Sequence, residues 1–356
     1  MRAPSVLVCG TVLAQGVGGV QRHNRELLPR LARRLEDGGG RIAVMLGREG
    51  LDFDLPAAIE RIESDVPATP AAWRAWHESA ALRGALERAH AQGRPFDLVH
   101  TAHLPVPRGL GVPFTLTLHD LKSVALRSAP LLRRLVGRSV LRSSVRRAAH
   151  VFCVSSTLAR ETLACTEAAP THVSVAPNGC DHLPLLERSP TRDPFLLFVG
   201  RLEPRKDVET IFRALALDGT LPRVVLAGSE QGTHGAELRA RARELKVQQR
   251  VEFAGPQEDA SLARLYAGCT AVVLPSLREG FDLPLVEALR AGAPVVASDL
   301  PVHRELAGQA ARYFAAGDSA QLVAALRAHA AQAAPRLATW DDCADAMLSS
   351  WASLAR

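Results

Sequence analysis

The stretch AVVLPSLREGFDLPLVEALRAGAPVVASD, residues 271–299, reads in four pieces. AVVLPS (271–276) is apolar at consecutive positions, as a strand buried on both faces is. LREGFDLP follows as a loop at its carboxyl end. Asp282 with Pro284 then marks a helix start, since proline is favoured in the first turn. PVVASD (294–299) is the next strand. Strand, loop, helix and strand in so short a span form the unit of a parallel α/β sheet. Within it stand Glu279, just before Gly280, and Glu287, at the end of the first helical turn. Burying a carboxylate costs free energy unless something pairs with it. Either both acids are solvated at a capped helix, or a polar ligand sits between them. A glycine lets backbone approach a ligand closely. The amides near Gly280, Phe281 and Asp282 would donate where the two carboxylates accept, which suits a neutral polyol.

The same alternation extends over the chain. SVLVCG (5–10), RIAVML (41–46), FDLVHTAH (96–103), FTLTLHD (114–120), HVFCVSS (150–156) and HVSVAPNG (172–179) read as strands of a first α/β domain, residues 1–182. DHLPLLERSPTRDPF, with three prolines and mixed charge, reads as a linker over 183–194. FLLFVG (195–200), RVVLAG (223–228), RVEFAG (250–255), AVVLPS, PVVASD and ARYF (311–314) make a second α/β domain over 195–335. A helical tail, 336–356, carries Trp340 and Trp351 as packing anchors that would return it toward the first domain. Ligands of open parallel sheets bind at the strands' carboxyl ends, which with two such domains places the expected site in the cleft between them.

Composition sets bounds. The 356 residues are 47% hydrophobic, enough for two cores, and no run of about 18 apolar residues would span a membrane. MRAPSVLVCGTVLAQG passes from a short apolar run into a glycine-rich loop, so it reads as a first strand rather than a leader. Six dispersed cysteines without a CxxC pair read as reduced, metal-free and cytoplasmic. The charge is uneven: residues 1–185 hold 23 Lys/Arg and 16 Asp/Glu, whereas 186–356 hold 20 and 21. An anionic surface partner should therefore meet the first half.

The second chemical signal is LLFVGRLEPRKDVET (196–210). Arg201 leaves the strand end directly and Lys206 follows in the loop. Two cations facing a helix N-terminus there make a diphosphate site. Taken with GVGGVQRHNRELLPRLARRL, VSVAPNGCD, RVEFAGPQED and the 274–299 stretch, the chain resembles the retaining nucleotide-sugar glycosyltransferases of the GT-B fold, family four, group 1 type. The resemblance spans nearly the whole chain and is strongest over 195–310. It implies two Rossmann-like parallel-sheet domains facing each other across a cleft. It also implies a nucleoside-diphosphate sugar as co-substrate, no cofactor, and no metal. Arg201 and Lys206 would hold the donor diphosphate, and Glu287 the ribose. Glu279, Gly280, Phe281, Asp282 and Leu283 would hold the donor sugar, with Gly255 and Pro256 beside the base. His119 and Asp120, in TLTLHD, would face the sugar from the other domain, and Gly18 and Gly19 would approach donor phosphate or acceptor. Retention would proceed on one face, the leaving phosphate taking the acceptor's proton.

Other features carry weaker readings. Asp52-Phe53-Asp54 is a literal DxD, but it lies in an early connection and Arg201 with Lys206 already supplies cations. His100 and His103 fall on different faces of a strand end and read as acceptor lining. Residues 127–147 carry seven Arg and no acid, with Leu131, Leu132, Leu135, Val136, Val140, Leu141 and Val145 at roughly helical spacing. This predicts an apolar stripe packed inward with arginines outward, meeting an anionic membrane. The expected enzyme is a cytoplasmic hexosyltransferase, peripheral at the inner membrane face. It leans toward GDP-mannose and a saccharide or lipid-linked acceptor in polysaccharide or glycolipid assembly, with no nucleic-acid partner. A sugar-nucleotide epimerase of like architecture and a dead anionic-surface binding protein are the alternatives.

Overall fold

The computed structural model describes residues 2–13, 18–51, 53–121, 131–189, 191–230, 232–328 and 334–355. Gly16, Asp52 and the start of the basic 127–147 segment lie outside the described residues. The chain divides into two compact units, one of Met1–Asn178 with Trp340–Arg356, the other of Gly179–Thr339.

The first unit is built on a seven-stranded parallel sheet of order β3-β2-β1-β4-β5-β6-β7. Its strands are β1 (Ser5–Gly10), β2 (Arg41–Leu46), β3 (Glu60–Glu63), β4 (Leu98–Thr101), β5 (Phe114–Leu118), β6 (His150–Cys153) and β7 (Val173–Val175). β1 and β5 are buried at every position, as continuous apolar runs predict for strands covered on both faces. β3, ERIE, was not expected: it is a charged, largely exposed edge strand with no apolar run to betray it. The covering helices are α1 (Gly19–Asp37), α2 (Ala71–Ala91), α3 (Leu131–Arg147) and α4 (Ser156–Thr166). Among the described residues, no helix of the chain is long and apolar enough to cross a membrane.

The tail helix, α11 (Trp340–Leu354), completes this unit against α1. Trp340 and Trp351 are fully buried. The indole Nε1–H of Trp351 donates to Thr115 Oγ1 at 3.0 Å, and Thr115 in turn meets His100 Nδ1 at 2.9 Å. His100 is thus a core residue beneath the tail helix rather than lining for a ligand.

The second unit carries a six-stranded parallel sheet of order β10-β9-β8-β11-β12-β13. These strands are β8 (Phe195–Val199), β9 (Arg223–Ala227), β10 (Val251–Gly255), β11 (Ala271–Leu274), β12 (Val295–Ser298) and β13 (Ala311–Phe314). Helices α5 (Glu209–Leu217), α6 (His234–Glu244), α7 (Asp259–Gly268), α8 (Leu283–Arg290), α9 (Pro301–Ala307) and α10 (Ser319–Arg327) cover it. Two buried apolar clusters form its core, one around Leu197, Tyr266 and Leu285, the other around Phe198, Phe212 and Phe314. The segment 183–194, read as a free linker, is fastened to this unit. Leu183 joins the first cluster and Arg188 Nη2 donates to the Cys269 carbonyl at 2.7 Å.

Burial pushes the imidazole of His100 down to about 3, with the charges of His23 and His103 adding to it. Burial also pushes His23 down to about 4, against its hydrogen bond to Asn178 Oδ1. Both are neutral in the fold near pH 7, while in the unfolded chain they titrate near 6.5. The unfolded state therefore binds more protons between those limits, so stability is complete above pH ~6.5 and falls as pH drops toward 4. Urea midpoints measured between pH 7.5 and 4.5 should show that decline, and His100→Gln should remove roughly one proton of its slope. A midpoint flat over that window would contradict the burial of these two rings.

Candidate functional site

At the carboxyl ends of β8, β9 and β10 stand Gly200, Gly228 and Gly255. Gly228 has φ +158°, and a Cβ there would lie 1.9 Å from the Gly200 carbonyl oxygen, so no other residue fits. Its N–H donates to the Gly255 carbonyl at 2.8 Å. Gly228 thus lies against both neighbouring strand ends at backbone distance. Pro256 follows, exposed. Arg201 leaves β8 half-buried.

Lys206 folds back over Gly200, and burial places its ammonium among acids. Its Nζ lies 2.7 Å from Glu279 Oε1 and 2.9 Å from Asp282 Oδ1. Burial alone would depress the ammonium, but Asp282 and Glu279 outweigh it and hold the Lys206 pKa above its ordinary value. Glu279 is further held by Arg205 Nη1 at 2.6 Å and by the Ser276 hydroxyl at 2.8 Å. The backbone supports this: Leu277 N–H donates to the Arg205 carbonyl at 2.8 Å, tying the β11 loop to the β8 loop.

Asp282, the residue before α8, has φ +83°, a left-handed conformation that costs a non-glycine residue about 1–3 kcal/mol unless its surroundings over-determine it. They do so here. Its second carboxylate oxygen meets His303 Nε2 at 3.1 Å, while His303 Nδ1–H donates to the Ser298 carbonyl at 2.8 Å. Burial would raise the Asp282 pKa, but Lys206 and His303 hold it far below the usual carboxylate range. Burial would lower that of His303, but its hydrogen bond to Asp282 reverses the direction. The outcome is a chain of alternating partners that runs from half-buried Arg205 through Glu279, Lys206 and Asp282 to buried His303.

Glu287, on α8, is buried with partners of its own. Tyr266 O–H donates to Oε2 at 2.7 Å and His182 Nε2 stands 3.1 Å from Oε1. Burial, then the Glu287 charge, pushes the Tyr266 hydroxyl well above its ordinary pKa, so it remains a donor. Each Glu287 oxygen keeps acceptor capacity for a further hydroxyl. Phe281 and Leu283 are buried around this turn, as is Gly280.

On the first unit, His119 and Asp120 follow β5, both half-buried. The Nε2 of His119 has no hydrogen-bond partner among the described residues. Its ring meets the edge of His23 at 4.7 Å. Burial, then the charges of His23 and His100, pulls His119 well below its ordinary pKa, leaving a neutral imidazole. Gly18 caps α1 in extended backbone, its carbonyl accepting from Arg22 N–H at 3.0 Å, and Gly19 is exposed at the helix start.

The structure therefore brings Lys206, Glu279 and Asp282 into contact. It adds Arg205, Gly228, Tyr266, His182 and His303, which the sequence reading did not single out. Arg205 had a signal, since it stands beside Lys206 in EPRKD. His303, a lone histidine in PVHREL, had none.

Removing one partner of a buried ion pair leaves the other charge uncompensated and typically costs about 3–5 kcal/mol. Lys206→Met should lose about that much by urea unfolding, and adding Asp282→Asn should return part of it. A double-mutant cycle without coupling would contradict the direct contact.

Comparison with known proteins adds the relationship. The model described as Glycosyltransferase Family 4 matches residues 17–182, and that described as Glycosyl transferases group 1 matches 187–333. A D-inositol 3-phosphate glycosyltransferase of Jonesia denitrificans is 33% identical over 178 residues, 43% of this chain and 42% of that protein. The O-antigen chain mannosyltransferase RfbU of Salmonella typhimurium is 25% identical over 232 residues, 65% of this chain and 64% of that protein. The matched stretches thus span less than two thirds of either relative. Sucrose-phosphate synthase from Thermosynechococcus elongatus superposes with a TM-score of 0.73 at 19% identity, over 99% of this chain and 96% of its own, so it shares the fold. With one model on each Rossmann-like unit and a buried lysine–carboxylate cluster at the strand ends between Arg201 and Glu287, the chain belongs to the GT-B-fold glycosyltransferases of the group 1, family 4 kind.

Proposed function

We propose that the chain transfers a hexosyl unit from a nucleoside-diphosphate sugar to a saccharide or lipid-linked saccharide, with the anomeric configuration retained. The observation that carries this reading is the clustering of Arg205, Lys206, Glu279 and Asp282 at the glycine-edged strand ends of the second unit. Arg201 and Lys206 hold the diphosphate, and their charge grows in value as the glycosidic bond breaks, because the leaving group's negative charge develops beside them. Two side-chain cations take the place of a metal there. Glu287 accepts from the ribose, its two oxygens oriented by Tyr266 and His182. Glu279 and the backbone of Gly280, Phe281, Asp282 and Leu283 hold the sugar, and Gly255 with Pro256 lies beside the base. On the first unit, neutral His119, with its bare Nε2, accepts from or donates to a sugar hydroxyl, flanked by Asp120, Gly18 and Gly19. The leaving phosphate takes the acceptor's proton on the same face. A relative named as a mannosyltransferase supports mannose as the sugar, and GDP is the carrier we propose.

The first unit also carries a surface suited to a cytoplasmic, membrane-peripheral enzyme. The inward apolar stripe expected of α3 is only half there: Leu141 and Val145 are buried, but Leu132, Leu135 and Val136 are exposed, Leu132 to 73%. Exposed Arg138 and Arg146 share this acid-free helix, and Arg142 pairs with Glu167 at 3.3 Å. Exposed aliphatics beside unopposed arginines fit the headgroup region of an anionic bilayer. Trp73 and Trp76, 61% and 69% exposed on α2, add aromatic rings of the kind that sit at that interface.

A panel of UDP-, GDP- and ADP-sugars should raise the melting temperature selectively, since a ligand at 100 times its Kd adds about 2.7 kcal/mol. In EDTA-containing buffer, turnover of the stabilising donor should persist, and Arg201→Ala should cut it on the order of 100-fold. Near-normal turnover in Arg201→Ala would overturn the diphosphate assignment.

For the membrane, Leu135→Ser/Val136→Ser and Arg138→Gln/Arg146→Gln should each weaken binding to phosphatidylglycerol vesicles. The arginine pair should lose roughly 2 kcal/mol at low salt. Donor-induced melting shifts should not change. Wild-type protein that ignores such vesicles at low salt would end this part of the proposal.

A further inference from the structure

The first unit holds a second buried polar cluster, which the donor chemistry does not use. Cys9 is the fifth residue of β1, Thr11 follows that strand, His103 follows β4, and Glu78 lies in the second turn of α2. The side chain of Glu78 is fully buried, and its two oxygens are unlike. Oε1 is engaged: the Thr11 hydroxyl donates to it and His103 Nε2 stands at 2.9 Å, while Arg74 Nε lies 3.1 Å away as an ion pair without a hydrogen bond. Oε2 is buried with no hydrogen-bond partner among the described residues. Arg74 cannot turn to serve it, because Nη1 and Nη2 are committed to the carbonyls of Ala68 and Leu104 at 2.9 and 2.8 Å. A bare carboxylate oxygen without solvent is costly, and calls for a cation or a proton.

Glu78 thus offers one buried oxygen to an outside partner. Beside it are two ligands of another kind. One atom each of Cys9, Glu78 and His103 lies within 4.8 Å of the others. Thiolate, imidazole and carboxylate together are the donor set of zinc or cobalt, not of magnesium or calcium, which take oxygens. A tetrahedral ion with bonds of about 2.0–2.3 Å needs its ligands about 1 Å closer than that outer limit, within the reach of side-chain rotation.

We propose that Cys9, Glu78 and His103 form a binding site for one zinc-class divalent transition-metal ion, with its fourth position left to solvent or a small ligand. The ion takes the Oε2 that the protein leaves bare and displaces the Cys9 thiol proton to solvent. It replaces the proton between His103 Nε2 and the carboxylate, so that Nδ1–H then donates to Thr101 Oγ1, 3.3 Å away, and fixes the tautomer. His103, with its side chain 9% exposed, is the side from which the ion enters. The site belongs to the first unit and is independent of the donor cluster described above, so either assignment can fail without the other.

The test uses the full-length chain, reduced, treated with a chelator and desalted, then titrated with Co²⁺. One equivalent should bind, with the d–d bands of a tetrahedral ion and a thiolate-to-cobalt charge-transfer band, and Zn²⁺ should displace it. Cys9→Ala should abolish the charge-transfer band, and Glu78→Gln and His103→Gln should each weaken binding at least tenfold. Cys165→Ala, at a half-buried thiol elsewhere on the unit, should change nothing. Circular dichroism checks that each variant is folded. If Cys9→Ala does not fold, the other two variants decide. Absence of a charge-transfer band in the parent, or its survival in Cys9→Ala or in both of the other variants, overturns the proposal and leaves Oε2 to a buried water.

Discussion

The second unit turns on one buried ammonium. Lys206 sits between Glu279 and Asp282, and without it two carboxylates would face each other out of water. Such a pair cannot both ionise at close range without a cation. With the lysine present, Asp282 can hold a left-handed backbone ahead of α8, and His303 can anchor it from α9. The turn between β11 and α8, which sets the direction of the helix's first amides, is therefore fixed electrostatically rather than by packing. Buried ion pairs add little net stability against an apolar alternative. Their use here is positional: they hold the β8 and β11 loops and the start of α8 together.

The fold was legible because parallel strands buried on both faces must be apolar at every position. Phe195–Val199, Arg223–Ala227 and Ala271–Leu274 stood out from their neighbours on that ground alone. Where a strand faces water the signal vanishes, as it did for Glu60–Glu63. The residues of the lysine–carboxylate cluster were legible in type and not in arrangement. Lys206 and Glu279 could be named from their loops, but nothing local shows that they touch, since contact across parallel strands depends on the sheet order. Arg205 was overlooked beside Lys206 because adjacent basic residues in a loop read as one solvated patch. The α3 pattern misled for a different reason. Helical spacing of Leu132, Leu135 and Val136 implies a face to be buried, but says nothing of whether a neighbour covers it.

The histidines show how burial sorts residues that look equal in sequence. His100, His103 and His119 each stand at or just past a strand's end. His100 is enclosed by Thr115, Thr117 and Trp351, so it has become structural. His103 faces a carboxylate. His119 keeps a buried nitrogen without a hydrogen-bond partner among the described residues. Same residue type and similar position yield three chemistries, decided by what the next layer offers.

The last helix has a consequence for the order in which the chain is made. Trp351 binds Thr115 and Trp340 packs by His23, so the first unit is assembled from segments on either side of the second. A ribosome that has released residues 1–178 has not yet supplied the residues that fill that core. Domains commonly fold as units, the N-terminal one first. Here the central unit, continuous in sequence, has all its parts earlier than the one that precedes it. Until Trp340–Leu354 emerges, the first sheet exposes the apolar surface that two tryptophans later cover, so the segment after the second unit takes part in folding the first.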